Sequence, residues 1–159
     1  MQCLSFDEIR VGNWSQDSTS RKLTPGQILA DSARKCTAIV RKYAPRATVY
    51  TWSDMFDPAH NAHDNYYLVN GTWAGSWEGL DKSVVIVNWN HGKRDESLKW
   101  FADRGHRQVI AGYYDGPPQN VRSWIDSARK VPNVYGMIYT TWRSNYSDLE
   151  SFAAFLNKP

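Results

Sequence analysis

The feature that most constrains the fold of this chain is an alternation of short apolar segments with longer amphipathic ones. Five segments are rich in β-branched and aromatic residues and are predicted to be strands: 3–6, 47–52, 83–89, 109–114 and 134–142. The third is almost continuously apolar, which is typical of a strand that is covered on both faces. Helical spacing of apolar residues predicts helices over 24–44, 93–104 and 118–130, and one that opens near Ser147.

The alternation predicts an α/β fold of four consecutive βα units, with a parallel sheet and right-handed crossovers. Thr24 and Pro25 are typical of the N-cap and the first position of a helix. Two architectures fit, an open doubly wound sheet or half of a (β/α)8 TIM-type barrel. The loop after the first strand has neither of the glycine-rich nucleotide-binding motifs. The 159 residues fit a single domain, 1–159.

The composition favours a ligand surface made of aromatic rings. Aromatic residues make up 14% of the chain, with 8 Trp and 9 Tyr. A buried indole N–H needs a hydrogen-bond partner, so a core alone rarely holds this many Trp side chains. Flat apolar faces, such as those of sugars, stack on exposed rings. The net charge is only +3, and acidic residues occur throughout the chain. The chain has no run of basic residues of the kind that predicts nucleic-acid binding.

The sequence also bears on the location of the protein. No apolar run approaches the ~20 residues that a membrane span needs, so no membrane association is expected. The first residues lack the basic and apolar regions of a signal peptide, which predicts a cytoplasmic protein. The two cysteines, Cys3 and Cys36, are too few for a disulfide framework and are expected to be buried thiols in a reducing compartment.

Polar and aromatic residues follow each predicted strand, where ligands bind in parallel α/β folds. The strand ends carry Asp7-Glu8, Trp52-Ser53-Asp54, Asn88-Trp89-Asn90, Tyr113-Tyr114-Asp115 and Thr140-Thr141-Trp142-Arg143. Indole faces would stack on pyranose rings, and the polar groups would bind hydroxyls. The alternative is that the Trp rings cover the core and the acids cap helix N-termini.

The adjacent carboxylates Asp7 and Glu8 suit acid/base chemistry. When one stays ionised it raises the pKa of the other, which then holds a proton near neutral pH. Glycoside hydrolysis needs such a proton donor. The acids and histidines between Asp54 and His63 also raise the question of a metal site. Pro58 breaks the helix that would align them, so substrate contacts or hydrogen bonds within the loop are expected and no metal or other cofactor is predicted.

A strand that ends in Asp7-Glu8, followed by strands that end in Trp, Trp, Tyr/Asp and Trp, resembles the second half of the family 20 glycoside hydrolases, the β-N-acetylhexosaminidases. The resemblance covers nearly the whole chain. The segment 52–63 is also similar to uncharacterised bacterial glycosidase-like proteins with a full-length barrel, and a fragment of such a barrel is therefore expected. In place of the family's usual His-x-Gly-Gly before the acidic pair, this chain has Cys3-Leu4-Ser5-Phe6.

The resemblance implies roles for individual residues. Glu8 would be the general acid/base, and Asp7 would orient the 2-acetamido group of the substrate, which acts as the nucleophile. Tyr113 or Tyr114 would support the acetamido carbonyl, and Tyr114 is taken as the catalytic candidate. The predicted substrate-binding residues are Trp52, Asp54, Trp89, Asn90, Tyr113, Asp115, Trp142 and Arg143, with Trp52, Trp89 and Trp142 as the walls of one sugar pocket.

Three functions therefore remain open. The favoured one is a glycoside hydrolase that acts on a β-linked amino sugar or a related glycan. The second is a carbohydrate-binding half-barrel without turnover, and the third is a structural half-barrel. Because four βα units cannot close a barrel of about eight strands, a homodimer is also expected, in which the first strand of one copy pairs with the last strand of the other.

Overall fold

The structure is a computed structural model that describes residues 2–9, 22–66, 71–113 and 115–157. The strands are β1 Gln2–Leu4, β2 Val49–Trp52, β3 Val85–Asn88, β4 Gln108–Ala111 and β5 Val134–Ile138. The α-helices are α1 Pro25–Tyr43, α2 Arg94–Asp103, α3 Asn120–Ala128 and α4 Leu149–Leu156. Short 3-10 helices cover Asp54–Phe56, Ser76–Gly79 and His91–Lys93. None of the helices in these described ranges is both long and apolar enough to cross a membrane.

The five strands form one parallel sheet in the order β1-β2-β3-β4-β5. The predicted α/β class with a parallel sheet is therefore confirmed. Each strand pairs with its neighbours in sequence, so the order lacks the reversal that defines a doubly wound sheet. All five predicted strands are present among the described residues, but they do not form four consecutive βα units, because the described part of the β2–β3 connection holds two 3-10 helices and no α-helix.

Two strand boundaries also differ from prediction. β1 ends at Leu4, so Asp7 and Glu8 lie in the loop that follows it and not on its last residues. β5 ends at Ile138, which leaves Trp142 in the connection to α4. Cys3 is exposed and Cys36 is half-buried, so the expectation of two buried thiols is wrong. Polar flanking residues make strand ends the least certain part of a sequence-based assignment.

The predicted start of α1 is confirmed in detail. Thr24 is the N-cap, and its side chain accepts a hydrogen bond from the backbone N–H of Gln27. The Gln27 side chain accepts one from the Thr24 backbone in return, which completes a capping box, and Pro25 is the first helical residue. This arrangement satisfies two backbone N–H groups of the first turn and fixes where the helix begins.

One face of the sheet packs on helices. Ile86 of β3 lies in a cluster with Leu29 of α1 and Phe101 of α2. Ile110 of β4 lies with Leu98 of α2 and Trp124 of α3. Ile86 and Ile110 are two positions apart in the register of the paired strands β3 and β4, and side chains at such alternate positions point to the same face of a sheet. Burial of the helix-covered face supplies the main core of the protein.

The opposite face of the sheet carries a cavity of about 360 Å³ whose lining residues all belong to strands. Trp52 and Val87 lie on one side of it and Tyr135 and Ile138 on the other. The hydroxyl of Tyr135 donates a hydrogen bond to the hydroxyl of Tyr50 over 3.3 Å, from β5 to β2 across the two strands between them. Adjacent strands are about 4.8 Å apart, so the two tyrosine side chains bridge about three strand spacings over this face.

Helix α1 meets the 3-10 helix Ser76–Gly79 at very short range. An added Cβ at Gly79 would lie 2.2 Å from the backbone oxygen of Ala30, and one at Gly26 would lie 2.3 Å from the backbone oxygen of Ala74. Both glycines are required because no side chain fits where two backbones touch. The contact fixes the long β2–β3 connection against the body of the protein.

Candidate active site at the carboxyl ends of the strands

Asp54 is the centre of a polar cluster at the carboxyl ends of β1, β2 and β3. It opens the 3-10 helix that follows β2, and its side chain is fully buried. Its Oδ2 accepts hydrogen bonds from the backbone N–H of Glu8 at 2.7 Å and from the side-chain amide of Asn61 at 3.0 Å. Its Oδ1 accepts a longer one, 3.4 Å, from the indole N–H of Trp89. The carboxylate thus links three segments that are distant in sequence.

The Glu8 backbone has a φ of 42°, in the left-handed region that residues other than glycine rarely adopt. The hydrogen bond from its N–H to Asp54 holds it in this conformation. Burial raises the pKa of the Asp54 carboxyl and the nearby charge of Asp7 raises it further, so Asp7 lies within electrostatic range of Asp54. Asp7, Glu8 and Asp54 therefore form one acidic group at the rim of the sheet.

Burial raises the pKa of Asp54 to about 6, against the opposing effect of its hydrogen bonds from Glu8, Trp89 and Asn61. His60 packs edge-on against the Trp89 ring, with the ring centres 4.6 Å apart. Burial lowers the pKa of His60 to about 4, although the nearby charge of Glu8 acts in the other direction. This cluster thus places a carboxyl that keeps its proton up to about pH 6 beside an imidazole that stays neutral down to about pH 4.

These two shifts predict opposite effects of pH on stability. Folded Asp54 binds its proton more tightly than unfolded Asp54, so its contribution to the free energy of unfolding falls as pH rises from about 4 to 6. The contribution of His60 rises over the same range, because the unfolded chain binds that proton more tightly. We expect the stability of Asp54→Asn, relative to wild type, to increase by about 2 kcal/mol between pH 4 and pH 7.

Urea unfolding of wild type, Asp54→Asn and His60→Gln at intervals from pH 4 to pH 7 measures both effects. The difference between His60→Gln and wild type should change with pH in the opposite sense to that of Asp54→Asn. Asp126→Asn is the control, since this aspartate is exposed on α3 and should follow the wild-type curve. An Asp54→Asn curve parallel to that of wild type would contradict the assignment of a raised pKa to Asp54.

A second cavity, of about 260 Å³, lies beyond β3 and β4. Three of the residues predicted to bind substrate line it, namely Trp89, Asn90 and Tyr113. Trp124 and Asn120 of α3 form the other side. Trp89 is therefore shared between this cavity and the acidic group around Asp54. An indole wall with amide and hydroxyl groups is a chemistry that suits a polyol ring.

Asp115, predicted to bind substrate, holds the connection from β5 to α4. Its carboxylate accepts hydrogen bonds from the hydroxyl of Thr141 and from the backbone N–H groups of Trp142 and Arg143. The hydroxyl of Tyr113 donates to Asp148 at 2.9 Å, and its ring stacks on Tyr139. Asp115 and Tyr113 thus stabilise the structure around them, and their binding of substrate stays a prediction.

The remaining predicted residues lie at different places on the rim. Trp52 lines the 360 Å³ cavity on the helix-free face, whereas Trp142 is 62% exposed and lines neither of the two cavities described above. Arg143 is exposed beside Trp142. Tyr114 lies outside the described residues. A single pocket walled by Trp52, Trp89 and Trp142 stays a prediction.

His60 is predicted from the sequence only as one of several polar residues of its loop with contacts to substrate or within the loop, and Asn61 is not predicted at all. Both lie in the loop after Asp57-Pro58, seven and six residues from Asp54. The sequence indicates these two residues only through the many acids, amides and histidines of their loop. Such a loop can fold in many ways, so its composition does not select individual residues. Among the described residues, no group of three or more His, Cys, Asp or Glu side chains is arranged to hold a metal ion.

No protein-family model matches the chain, and no curated protein is similar enough to it to be counted as related. The function must therefore be argued from the geometry of the acidic group and its aromatic surroundings.

Proposed function

We propose that this chain carries a glycoside hydrolase-type site, with Glu8 as the general acid/base and Asp7 as its partner, acting on a β-linked amino sugar or related glycan. The observation that carries the proposal is the convergence of Asp7 and Glu8 with buried Asp54 and the Trp89 indole. Paired carboxylic acids beside an aromatic wall are the groups that glycoside hydrolysis uses.

The reaction needs a proton on the leaving group. Glu8 would give its proton to the glycosidic oxygen as the bond from that oxygen to the anomeric carbon breaks. On the resemblance to the family 20 enzymes, the acetamido oxygen of the substrate attacks the anomeric carbon while Asp7 orients the acetamido group. Ionised Glu8 then takes a proton from the water that opens this intermediate. Each step uses only side chains at the rim of the sheet.

Binding of the sugar would fall to the aromatic and amide groups around this pair. Trp89, Asn90 and Tyr113 already share one cavity, and Trp52 lines another. Trp142 and Arg143 lie on the connection that Asp115 anchors. We propose that these residues contact the substrate, with the indoles stacked on sugar faces.

A carbohydrate-binding protein without turnover is the second candidate. The observation that favours it is that both aromatic cavities form without any contribution from Glu8. A panel of 4-nitrophenyl glycosides, including the N-acetylglucosaminide, separates the two candidates. Release of nitrophenol by wild type supports the hydrolase. Binding of the free sugars, seen as a change in Trp fluorescence, without any release supports the binder.

We also propose that the sheet is half of a TIM-type barrel that is completed in a two-fold homodimer. Within the described part of the chain, the outer edges of β1 and β5 pair with no strand. Unpaired edges and an apolar face both favour association. The strand β1 of one copy would then pair with β5 of the other, and the two helix-free faces would meet.

Light scattering at micromolar concentration tests this assembly. Wild type should have twice the chain mass of 18.3 kDa. Ile138→Lys should shift the protein towards the monomer, because Ile138 lines the cavity on the helix-free face and would place a charge in the interface. Ile39→Lys is the matched control, since Ile39 is also an exposed isoleucine but lies on α1. A wild-type monomer would exclude the dimer.

A further inference from the structure

Three parts of the candidate site meet at one fully buried carboxylate. Asp54 accepts one hydrogen bond from the backbone of Glu8, one from the side chain of Asn61 and one from the indole of Trp89. All three donors are N–H groups. An ionised carboxylate, which only accepts, matches such a set of donors.

We propose that Asp54 is the positioning residue of this site: its ionised carboxylate holds the Glu8 backbone and the Trp89 ring in place together, and its protonation loosens both. Asp54 has no exposed surface and therefore acts through Glu8 and Trp89 and not on a substrate. The catalytic meaning of this role rests on the proposed function, whereas the coupling between the two segments does not.

The Glu8 conformation shows why a positioning group is needed. A non-glycine residue with a φ of 42° is strained and persists only when its surroundings hold it. The 2.7 Å hydrogen bond from the Glu8 N–H to Asp54 is of the short, charge-assisted kind, which is about twice as strong as a neutral one. Loss of the charge on Asp54 therefore weakens the hydrogen bond that fixes the Glu8 backbone, and with it the position of the Glu8 side chain.

Protonation also changes what Asp54 offers to its partners. The neutral acid carries one O–H that must donate, and the three partners described for it all donate as well. The oxygen that takes the proton becomes a poorer acceptor for the N–H group facing it. The same event thus weakens the hold on the β1 loop and on Trp89, which follows β3, although these segments are distant in sequence.

Other titratable groups face this cluster and must be distinguished from Asp54. Asp7 and Glu8 lie on the β1 loop, and His60 and His63 lie on the loop after β2. Asp57 is on the same loop, but the charged groups near it are Glu96 and Lys93 at the start of α2. His60 contacts the Trp89 ring, but burial lowers its pKa to about 4, well below the value of about 6 for Asp54. A transition near pH 6 that is shared by Glu8 and Trp89 therefore separates Asp54 from His60.

Nitrogen-15 NMR of the whole chain between pH 4.5 and 8 tests the inference without any substrate. The backbone amide of Glu8 and the indole N–H of Trp89 should shift together, with one midpoint near pH 6, because both donate to the same carboxylate. Asp54→Asn should remove both transitions. Asp57→Asn is the matched control, a second buried aspartate on the same loop, and should keep both.

A second variant keeps the test decisive if Asp54→Asn does not fold. Asn61→Ala leaves the carboxylate in place but removes one of its donors, which disfavours the ionised form. The midpoints of the Glu8 and Trp89 signals should then rise by the same amount. Separate midpoints, signals that do not respond to pH, or transitions that persist in Asp54→Asn would each overturn the inference.

The outcome is independent of the glycosidase proposal. A shared transition in a protein that cleaves no glycoside leaves Asp54 as a positioning residue and removes the proposed reaction. Hydrolysis by a protein in which Glu8 and Trp89 titrate independently keeps the reaction and removes this role for Asp54.

Discussion

Glu8→Gln should lower kcat by about 10²- to 10⁴-fold for any glycoside that the wild type hydrolyses, the range that one general acid/base contributes. Glutamine has nearly the same shape as glutamate but has no proton to give to the glycosidic oxygen. The backbone N–H of residue 8 that binds Asp54 is unchanged by the substitution. The site should therefore keep its shape and its affinity for sugar while it loses the proton transfer.

The pH–rate profile makes this test more specific. The alkaline limb of the wild-type profile should disappear in Glu8→Gln together with most of kcat, because that limb reports loss of the proton from the acid. Glu96→Gln is the control, since Glu96 is exposed on α2 and should retain wild-type turnover. Wild-type kcat in Glu8→Gln would show that another group supplies the proton.

Gly79→Ala should reduce the free energy of unfolding by about 3 kcal/mol, at the upper end of what overpacking commonly costs. The new Cβ would lie 2.2 to 2.6 Å from backbone atoms of Ala30, and a helix backbone cannot move aside as a flexible side chain can. Helix α1 must therefore separate from the 3-10 helix Ser76–Gly79. The β2–β3 connection, which carries Asn61 and His60, should become less well fixed.

Gly136→Ala is the matched control for this prediction. Gly136 lies in β5, and a Cβ added there meets no atom within 4 Å. Urea unfolding should show little change for Gly136→Ala and a lower midpoint with an unchanged slope for Gly79→Ala. Equal stability of the two variants would show that α1 and the 3-10 helix adjust to each other without cost.

The parts of the fold that the sequence predicts are those with a strong local signal. The apolar run around β3 predicts a fully buried strand, and Thr24 with Pro25 predicts the start of α1, because capping depends on residues only a few positions apart. The predicted end of β1 is wrong for the opposite reason. The left-handed backbone of Glu8, which follows β1, is held by a hydrogen bond to Asp54, which is 46 residues away.

The candidate site could be predicted only in outline for the same reason. Glu8, Asp54 and Trp89 were each chosen because they follow a strand, and the structure brings these three together. The sequence could not show that Asp54 is fully buried under the other two. Nor could it select Asn61 from the polar residues of its loop, since that choice depends on how the loop folds back.

The order of the strands also bears on how the chain reaches its native state. Because β1 to β5 lie in the sheet in the order in which they occur in sequence, each new pairing closes only the connection just before it. β1 and β5 never have to find each other across the whole chain. Folding can thus start at any adjacent pair of strands and grow outward in either direction, a route that keeps the entropy cost of each step small.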